Sequence, residues 1–459
     1  MKIHLFNKPY KGNRLQLIII CLISLVCFNS CKKYLDAKPD QSIATPSTIE
    51  DLEGILNAYS TINGRYPSAS EVASDDYYLV TADFNSLIDP QRFYYSWQKL
   101  PNFVGDYKSP YQAIEYCNII LDELPKVSGG NVIRKNSVQG NALFVRASYH
   151  YALSQLYAKV YNQSTAGSDL GIALRLTSDI AIKPVRSTVA DTYGSVLNDL
   201  KQSIPLLPAI SDVKYRSSKA AAYGMLARVY LAMSDFTNAG LYADSALSNY
   251  NKLIDYNTLT VSAAIPFKQF NDEVIYDSKA AGPQALSQSK ARVDTLLYAS
   301  YSTNDLRRNV LFKVNPNGTV AFKGNYTGVA GASLFTGIAT NELYLIKAET
   351  AVRNGDSRTA LTALNSLLVT RWKSGTFVPY AISDQKQLLG IILKERRKDL
   401  PFRSLRWTDL RRLNMEPDYA KILVRNLTGG TYTLEPNGLR YVFQIDQDAV
   451  NISGLQQNP

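Results

Sequence analysis

Apolar residues recur along most of this chain at the three-and-four spacing of helices with one buried face. Ser47 and Glu50, three apart, offer a capping box for a helix from Thr48 to about Tyr59. The period returns at Tyr111 to Leu124 and at Ala142 to Tyr161, where Leu143, Ala147, Tyr151, Ser154 and Ala158 step along one face. Leu388, Leu389, Ile392 and Leu393 mark a further helix that Pro401 should end at Leu400. Ser404 can then cap another, in which Trp407, Leu410 and Leu413 share a face. The helical period fails in a few places. From Glu71 to Phe103 the chain fills with aromatics and acids, and Asp255 to Phe270 is irregular. Glu273 to Asp277 predicts a short strand, Pro316 to Gly337 hairpins or long loops, and Tyr441 to Asp446 a strand in a loop-rich tail. The pattern predicts an all-α, mainly helical fold with long irregular loops and a few short strands.

Two segments carry an internal repeat. In Ala220 to Ala246, Tyr223, Leu226, Ala227 and Tyr230 are followed by Ala239, Ala243 and Ala246, a spacing that resembles a tetratricopeptide repeat. Small residues let paired helices approach while larger ones plug between turns. The pattern recurs less completely from Asn341 to Leu367, with Tyr344, Ala348, Gly355, Ala360 and Leu364. The two repeats, at about 220–250 and 341–371, define a helix-pair scaffold. Such a scaffold predicts binding and says nothing of catalysis.

The N-terminus predicts a processing segment. Lys2, Lys8, Lys11 and Arg14 precede the apolar run Leu17 to Phe28, which is shorter than the roughly 20 residues of a membrane-spanning helix. Residues 1–30 are therefore expected to be a signal peptide. Ser30 before Cys31, with Leu25 and Val26 upstream, resembles a lipoprotein cleavage site that would leave Cys31 as the lipidated first residue. Residues 31–47, polar and Pro-containing, read as a tether, and 48–459 as the folded domain. Loss of the signal removes four basic residues and no acid, which lowers the net charge from +11 to +7. With no dense basic block in the chain, nucleic acid is not an expected partner.

Candidate chemistry is sparse. Cys117 has no disulfide partner once Cys21 and Cys27 leave and Cys31 is lipidated, so it reads as a small core residue. Of the two histidines, His4 leaves with the signal and His150 lies on a scaffold helix. No Ser-His or Cys-His pair, glycine-rich phosphate loop or metal-ligand cluster is evident, and neither a cofactor nor a metal is expected. Asp75 and Asp76 are the nearest candidates for a glycosidase carboxylate pair, with loop solvation or helix capping the plainer reading. The protein is not expected to be an enzyme. The 31 Tyr, 15 Phe and 3 Trp are the stronger signal, because sugar rings present flat C–H faces that aromatic plates can cover. Most must be helix core. Those in irregular stretches are the candidate ligand contacts: Tyr77, Tyr78, Tyr94, Tyr95 and Trp97 beside Asp76, with Tyr298 and Tyr301 in a second stretch, Leu296 to Arg308. Trp372, at the end of a repeat helix, is expected in the core.

The densest cluster of charge runs from Glu395 to Arg412. Its many guanidinium groups around one tryptophan suit either an anion site or a structural knot. The knot is favoured, with Arg397 and Arg406 paired to Glu395 and Asp409 and their stems packed on Trp407. The pattern E-R-R-x-[DE]-L-x-F-x-x-x-R-W-x-D-L-R-R in this stretch resembles the signature of SusD/RagB-family lipoproteins. The Tyr-Leu-Asp and Pro39 after Cys31 and the closing Leu455-Gln456-Gln457-Asn458-Pro459 resemble the family too. Where the family commonly has Glu-Gly after the Phe, this chain has Arg403 and Ser404, which speaks against a tight glycine-dependent turn there. The resemblance implies a lipid-anchored, surface-exposed protein of the cell outer membrane. It would bind oligosaccharides through an arc of loop aromatics and deliver them to a SusC-like TonB-dependent transporter. A RagB-like peptide-binding uptake subunit and a repeat adaptor protein are the alternatives.

Overall fold

The periodic stretches form helices, and those helices pack in antiparallel pairs. A computed structural model describes residues 46–99, 106–329 and 333–459, so the expected signal peptide, Cys31 and most of the expected tether lie outside the described residues. The first helix, α1 (Ile49–Asn57), starts one residue later than the sequence suggests. Thr48 is its N-cap, and the capping box closes with Asp51 rather than Glu50. After the single turn α2 (Tyr59–Ile62), the aromatic-rich stretch holds three short helices, α3 (Ala69–Ala73), α4 (Thr81–Asn85) and α5 (Asp89–Ser96). This corrects the expectation of a non-helical segment: one or two turns are too short to display a stripe.

The scaffold follows. α6 (Lys108–Glu123) packs on α7 (Val132–Tyr157), which begins ten residues before the periodic stretch at its Asn131 cap, and α7 packs on α8 (Val189–Leu206). The two repeat pairs are α9 (Lys219–Ala232) with α10 (Phe236–Asn249), and, later in the chain, α13 (Thr340–Arg353) with α14 (Ser357–Leu368). Between them lie two short helices, α11 (Thr295–Ala299) and α12 (Arg307–Val310). α10 packs directly on α13, so the two repeats stack as one array. Ala239, Ala243 and Ala246 are fully buried where the helices approach. Gly224 on α9 likewise lets the chain at Ile338 come close: a Cβ there would lie 2.6 Å from Cγ2 of Ile338.

α15 (Gln385–Asp399) ends before Pro401, and α16 (Arg406–Leu413) buries Trp407, Leu410 and Leu413 as the spacing predicts. Ser404 does not cap α16; the cap position is Leu405, without a side-chain bond. The strands are short and two-stranded. β1 (Tyr77–Tyr78) pairs antiparallel with β6 (Arg292–Val293), β2 (Leu170–Ala173) with β3 (Arg186–Thr188), β4 (Val274–Tyr276) with β10 (Ile338–Ala339), β5 (Lys279–Ala280) with β9 (Leu334–Phe335), and β7 (Phe312–Val314) with β8 (Val320–Phe322). β11 (Leu423–Leu427) and β12 (Gly430–Leu434) form a hairpin. Tyr441 to Asp446 is not a strand; a helical turn, Leu439–Tyr441, leads into irregular chain and then α17 (Gln447–Ser453). Residues 47–459 form a single unit around one large core, with a second cluster under α13, α14 and α15. No helix among the described residues is long and apolar enough to cross a membrane.

Candidate functional site

The signature is a knot, but its partners differ from those read off the sequence. Arg397 bonds Asp76 Oδ1 through Nε at 2.8 Å, and Arg406 bonds Asp75 Oδ1 at 2.6 Å. Glu395 instead meets Arg307 at 2.5 Å and Lys398 at 3.0 Å, and Asp409 meets Arg396 at 2.8 Å and Arg412 at 2.9 Å. The expected pairing of Arg397 and Arg406 with Glu395 and Asp409 is thus corrected, because acids some 320 residues away in sequence reach them first. Trp407 is fully buried and stacks on Phe443, with centroids 5.4 Å apart and planes 10° from parallel. Ser404 adopts a left-handed φ of 55° and Phe402 one of 57°, so the tight turn forms without glycine. The Ser404 amide donates to Glu71 Oε2 at 2.7 Å. Burial, reinforced by Asp76, raises the Glu71 carboxyl to about 8.

This knot fixes the aromatic stretch, and it does so by burying it. Arg425 enters from β11 and places its guanidinium 3.5 Å from the centroid of Tyr95, 4.5 Å from Trp97 and 5.6 Å from Tyr77. The same guanidinium donates to the carbonyls of Ala73, Ser74 and Tyr95. Trp97 Nε1 donates to Ala73 O at 3.0 Å, the Tyr77 hydroxyl to Val72 O at 2.8 Å, and the Leu79 amide to the Tyr95 hydroxyl at 2.7 Å. Tyr94 packs on Phe443 at 4.9 Å, and Tyr301 donates to Lys398 O at 2.8 Å. All five rings are buried. The expectation that they stand open to a ligand is corrected: an arginine already occupies the ring faces of Tyr95 and Trp97. Tyr77, Tyr95 and Trp97 border a polar cavity of about 330 Å³ together with Asp75 and Asp294. Of the second stretch only Tyr298 is half-buried, with Arg308 stacked 4.7 Å from its centroid. Trp372 is also half-buried and packs on Phe377.

The other candidate groups are structural. Asp76 is 1% exposed inside the knot. Cys117 is buried, its thiol pushed up to about 12 by desolvation, and burial pushes His150 down to about 3. No cluster of His, Cys, Asp and Glu suited to a metal occurs among the described residues.

Aromatic rings do reach the surface in one arc that the sequence reading did not single out. Tyr59 and Tyr215 are half-buried, 6.2 Å apart and edge to face; Phe270 lies 6.3 Å beyond Tyr215 and is 39% exposed. Phe270 sits at φ 58°, a left-handed conformation unusual for an aromatic residue. Polar groups flank the arc. The Tyr59 hydroxyl bonds Asp277 Oδ2, Gln269 Nε2 donates to the Tyr59 hydroxyl at 3.0 Å, and Lys279 Nζ lies 4.6 Å from the Tyr59 centroid. Asp277 Oδ1 has no donor among the described residues. Burial raises the Asp277 carboxyl. The three rings come from three segments far apart in sequence, one of them the short helix α2, so no local sequence pattern could have grouped them.

Comparison with known proteins bears on both features. Residues 33–231 match a SusD-like family profile described as starch-binding and associating with the outer membrane, and residues 335–459 match the SusD family profile that spans the Arg-Trp signature. The chain belongs to the SusD family. A SusD-like protein, P2, from Formosa agariphila is 24% identical over 364 residues, which is 66% of this chain and 69% of that protein. The SusD fold of this chain is shared by a SusD superfamily protein of Bacteroides vulgatus at 22% identity and a TM-score of 0.75, covering 90% of this chain and 99% of that one. A surface glycan-binding protein A from Bacteroides uniformis superposes with a TM-score of 0.70 at 16% identity, over 90% of this chain and 99% of that one. The SusD scaffold thus accounts for the helical array.

Proposed function

We propose that this protein is a cell-surface, lipid-anchored glycan-capture subunit that binds oligosaccharides without cleaving them and passes them to a SusC-like TonB-dependent transporter. The surface arc of Tyr59, Tyr215 and Phe270 carries the reading. It supplies apolar ring surface for sugar C–H faces, and Gln269, Lys279 and Asp277 stand beside it to meet hydroxyls. The family match supports the same reading, as does the likeness to a glycan-binding neighbour. In this reading Cys31 bears the lipid.

The test is a binding screen of the purified protein against a panel of polysaccharides and peptides, with Tyr215→Ala and Phe270→Ala in parallel. Glycan binding without hydrolysis, weakened about tenfold or more by either substitution, is the expected result; tenfold corresponds to about 1.4 kcal/mol. Binding of peptides alone would move the protein to the RagB-like reading, and glycan binding unchanged in both variants would remove the arc from the site.

A further inference from the structure

The connection between β2 and β3, residues 174–185, carries exposed aliphatic side chains on a backbone held by hydrogen bonds. It starts where the Tyr111 hydroxyl donates to Ala173 O at 2.8 Å, and it runs alongside α6 past Asn118, whose Nδ2 donates to Arg175 O and Thr177 O at 3.1 and 3.2 Å. At the last turn of α6, Asp122 Oδ2 accepts from the Ser178 amide and hydroxyl, both at 2.8 Å. There the chain turns back. Arg175 clamps the turn by donating to Ile182 O at 2.6 Å and to Asp179 O at 2.9 Å, and Asp179 Oδ1 accepts from the Ala181 amide at 2.8 Å. The tip therefore has its aliphatic side chains fixed outward. Ile180 is 89% exposed, more than any other large apolar residue described, and Ile182 and Val185 are exposed beside it.

The same end of α6 receives the folded unit's first residues. The Ser128 amide donates to Ser47 O at 3.2 Å, and the Ile49 amide donates to Ser128 O at 3.1 Å, so the chain enters beside the connection from α6 to α7. Val132 and Ile133, just past that connection, are exposed as well. We propose that this end of the protein is a lipid-docking face, and that the tip at Ile180 and Ile182 inserts among the acyl chains of a bilayer. The inference rests on the reading of Cys31 as the lipidated residue.

Chain length makes lipid the occupant within reach. Cys31 and Ser47 are sixteen residues apart, so a lipid on Cys31 keeps Ser47 within roughly 55 Å of the bilayer even at full extension. The composition of the tip agrees. Protein interfaces draw their anchoring energy mainly from Trp, Tyr and Arg, whereas the exposed residues from Asp179 to Lys183 are aliphatic with one acid and one lysine. Those two charges offset each other, and Lys126 nearby is paired with Glu123 at 3.0 Å. Attachment by burial of aliphatic side chains, rather than by attraction to anionic headgroups, follows from that balance. Because the hydrogen bonds to α6 already hold the tip, inserting it requires little ordering.

The test uses protein from residue 32 onward, which keeps the whole folded unit, held by an N-terminal histidine tag on phosphatidylcholine vesicles that contain a nickel-chelating lipid. An environment-sensitive dye is placed at Ile180→Cys. The control is Ser164→Cys, exposed beyond the far end of α7, a helix about 39 Å long. Cys117 is buried and should not take the dye. On the vesicles the dye at position 180 should shift to the blue, be quenched by spin-labelled acyl chains and stay so in high salt, while the dye at 164 should not change. Ile182→Asp in the protein labelled at 180 should abolish the shift. A dye at 180 that remains in water overturns the proposal and returns the tip to a protein partner. An equal shift at 164, a shift lost in high salt or one that survives Ile182→Asp overturns it as well. The tag stands in for the lipid and the dye does not report on glycans, so failure here is distinct from failure of the capture reading.

Discussion

At the scale of single residues, the turn before α16 concentrates the strain. A left-handed φ costs a non-glycine residue roughly 1–2 kcal/mol, and the Ser404 hydroxyl offsets none of it, having no partner among the described residues. Ser404→Gly keeps the amide that Glu71 accepts and should raise stability by about 1 kcal/mol in urea unfolding. Glu71 itself imposes a pH dependence. Its folded pKa of about 8 lies above the value of 4.5 expected in the unfolded chain, so the folded state holds a proton that the unfolded state has lost. Stability from this group is complete below pH 4.5, falls by about 1.4 kcal/mol per unit as pH rises, and levels off above 8. Glu71→Gln should flatten the melting temperature between pH 5 and 8 relative to the wild type. The neighbouring Asp409 and Asp399 act in the opposite sense: burial notwithstanding, their arginines depress both, so their contribution is lost as pH falls below the ordinary carboxylate range. Arg397→Ala leaves Asp76 buried with weaker compensation and should cost about 3–5 kcal/mol by the same urea measurement.

Between helices, small residues set the spacing. Gly140 on α7 faces the end of α8, where an added Cβ would lie 2.9 Å from Leu207 Cγ and 3.0 Å from Leu206 Cβ. Gly140→Val should cost about 1–3 kcal/mol by forcing these helices apart, and a far-ultraviolet melt would register it as a lower midpoint. This scale was the most legible in the sequence. Helices such as α6 and α15 repeat an apolar stripe over several turns, and the small residues of the repeats report close packing directly. Elements of one or two turns, such as α3 and α5, leave no stripe to read, and the turn at Phe402 and Ser404 hid because side-chain identity did not announce its backbone angle. The aromatics at 77–97 misled for a related reason. Their density marked a special environment, yet only the fold reveals that Arg425, from β11, is what they surround.

Across the whole molecule, the pairings that mattered most were those the sequence could not supply. Asp75 and Asp76 near one end meet Arg406 and Arg397 near the other, and Tyr59, Tyr215 and Phe270 gather from three segments far apart in sequence. Charge alternation within the signature suggested a self-contained knot; three-dimensional closure spread it over the chain. That closure also dictates an order of events during synthesis. Two acids destined for burial emerge from the ribosome more than 300 residues before the guanidinium groups that neutralise them. Until the last fifth of the polypeptide arrives, the segment at Asp75 and Asp76 lacks the arginines that hold it, and that part of the nascent chain must wait for its own far end.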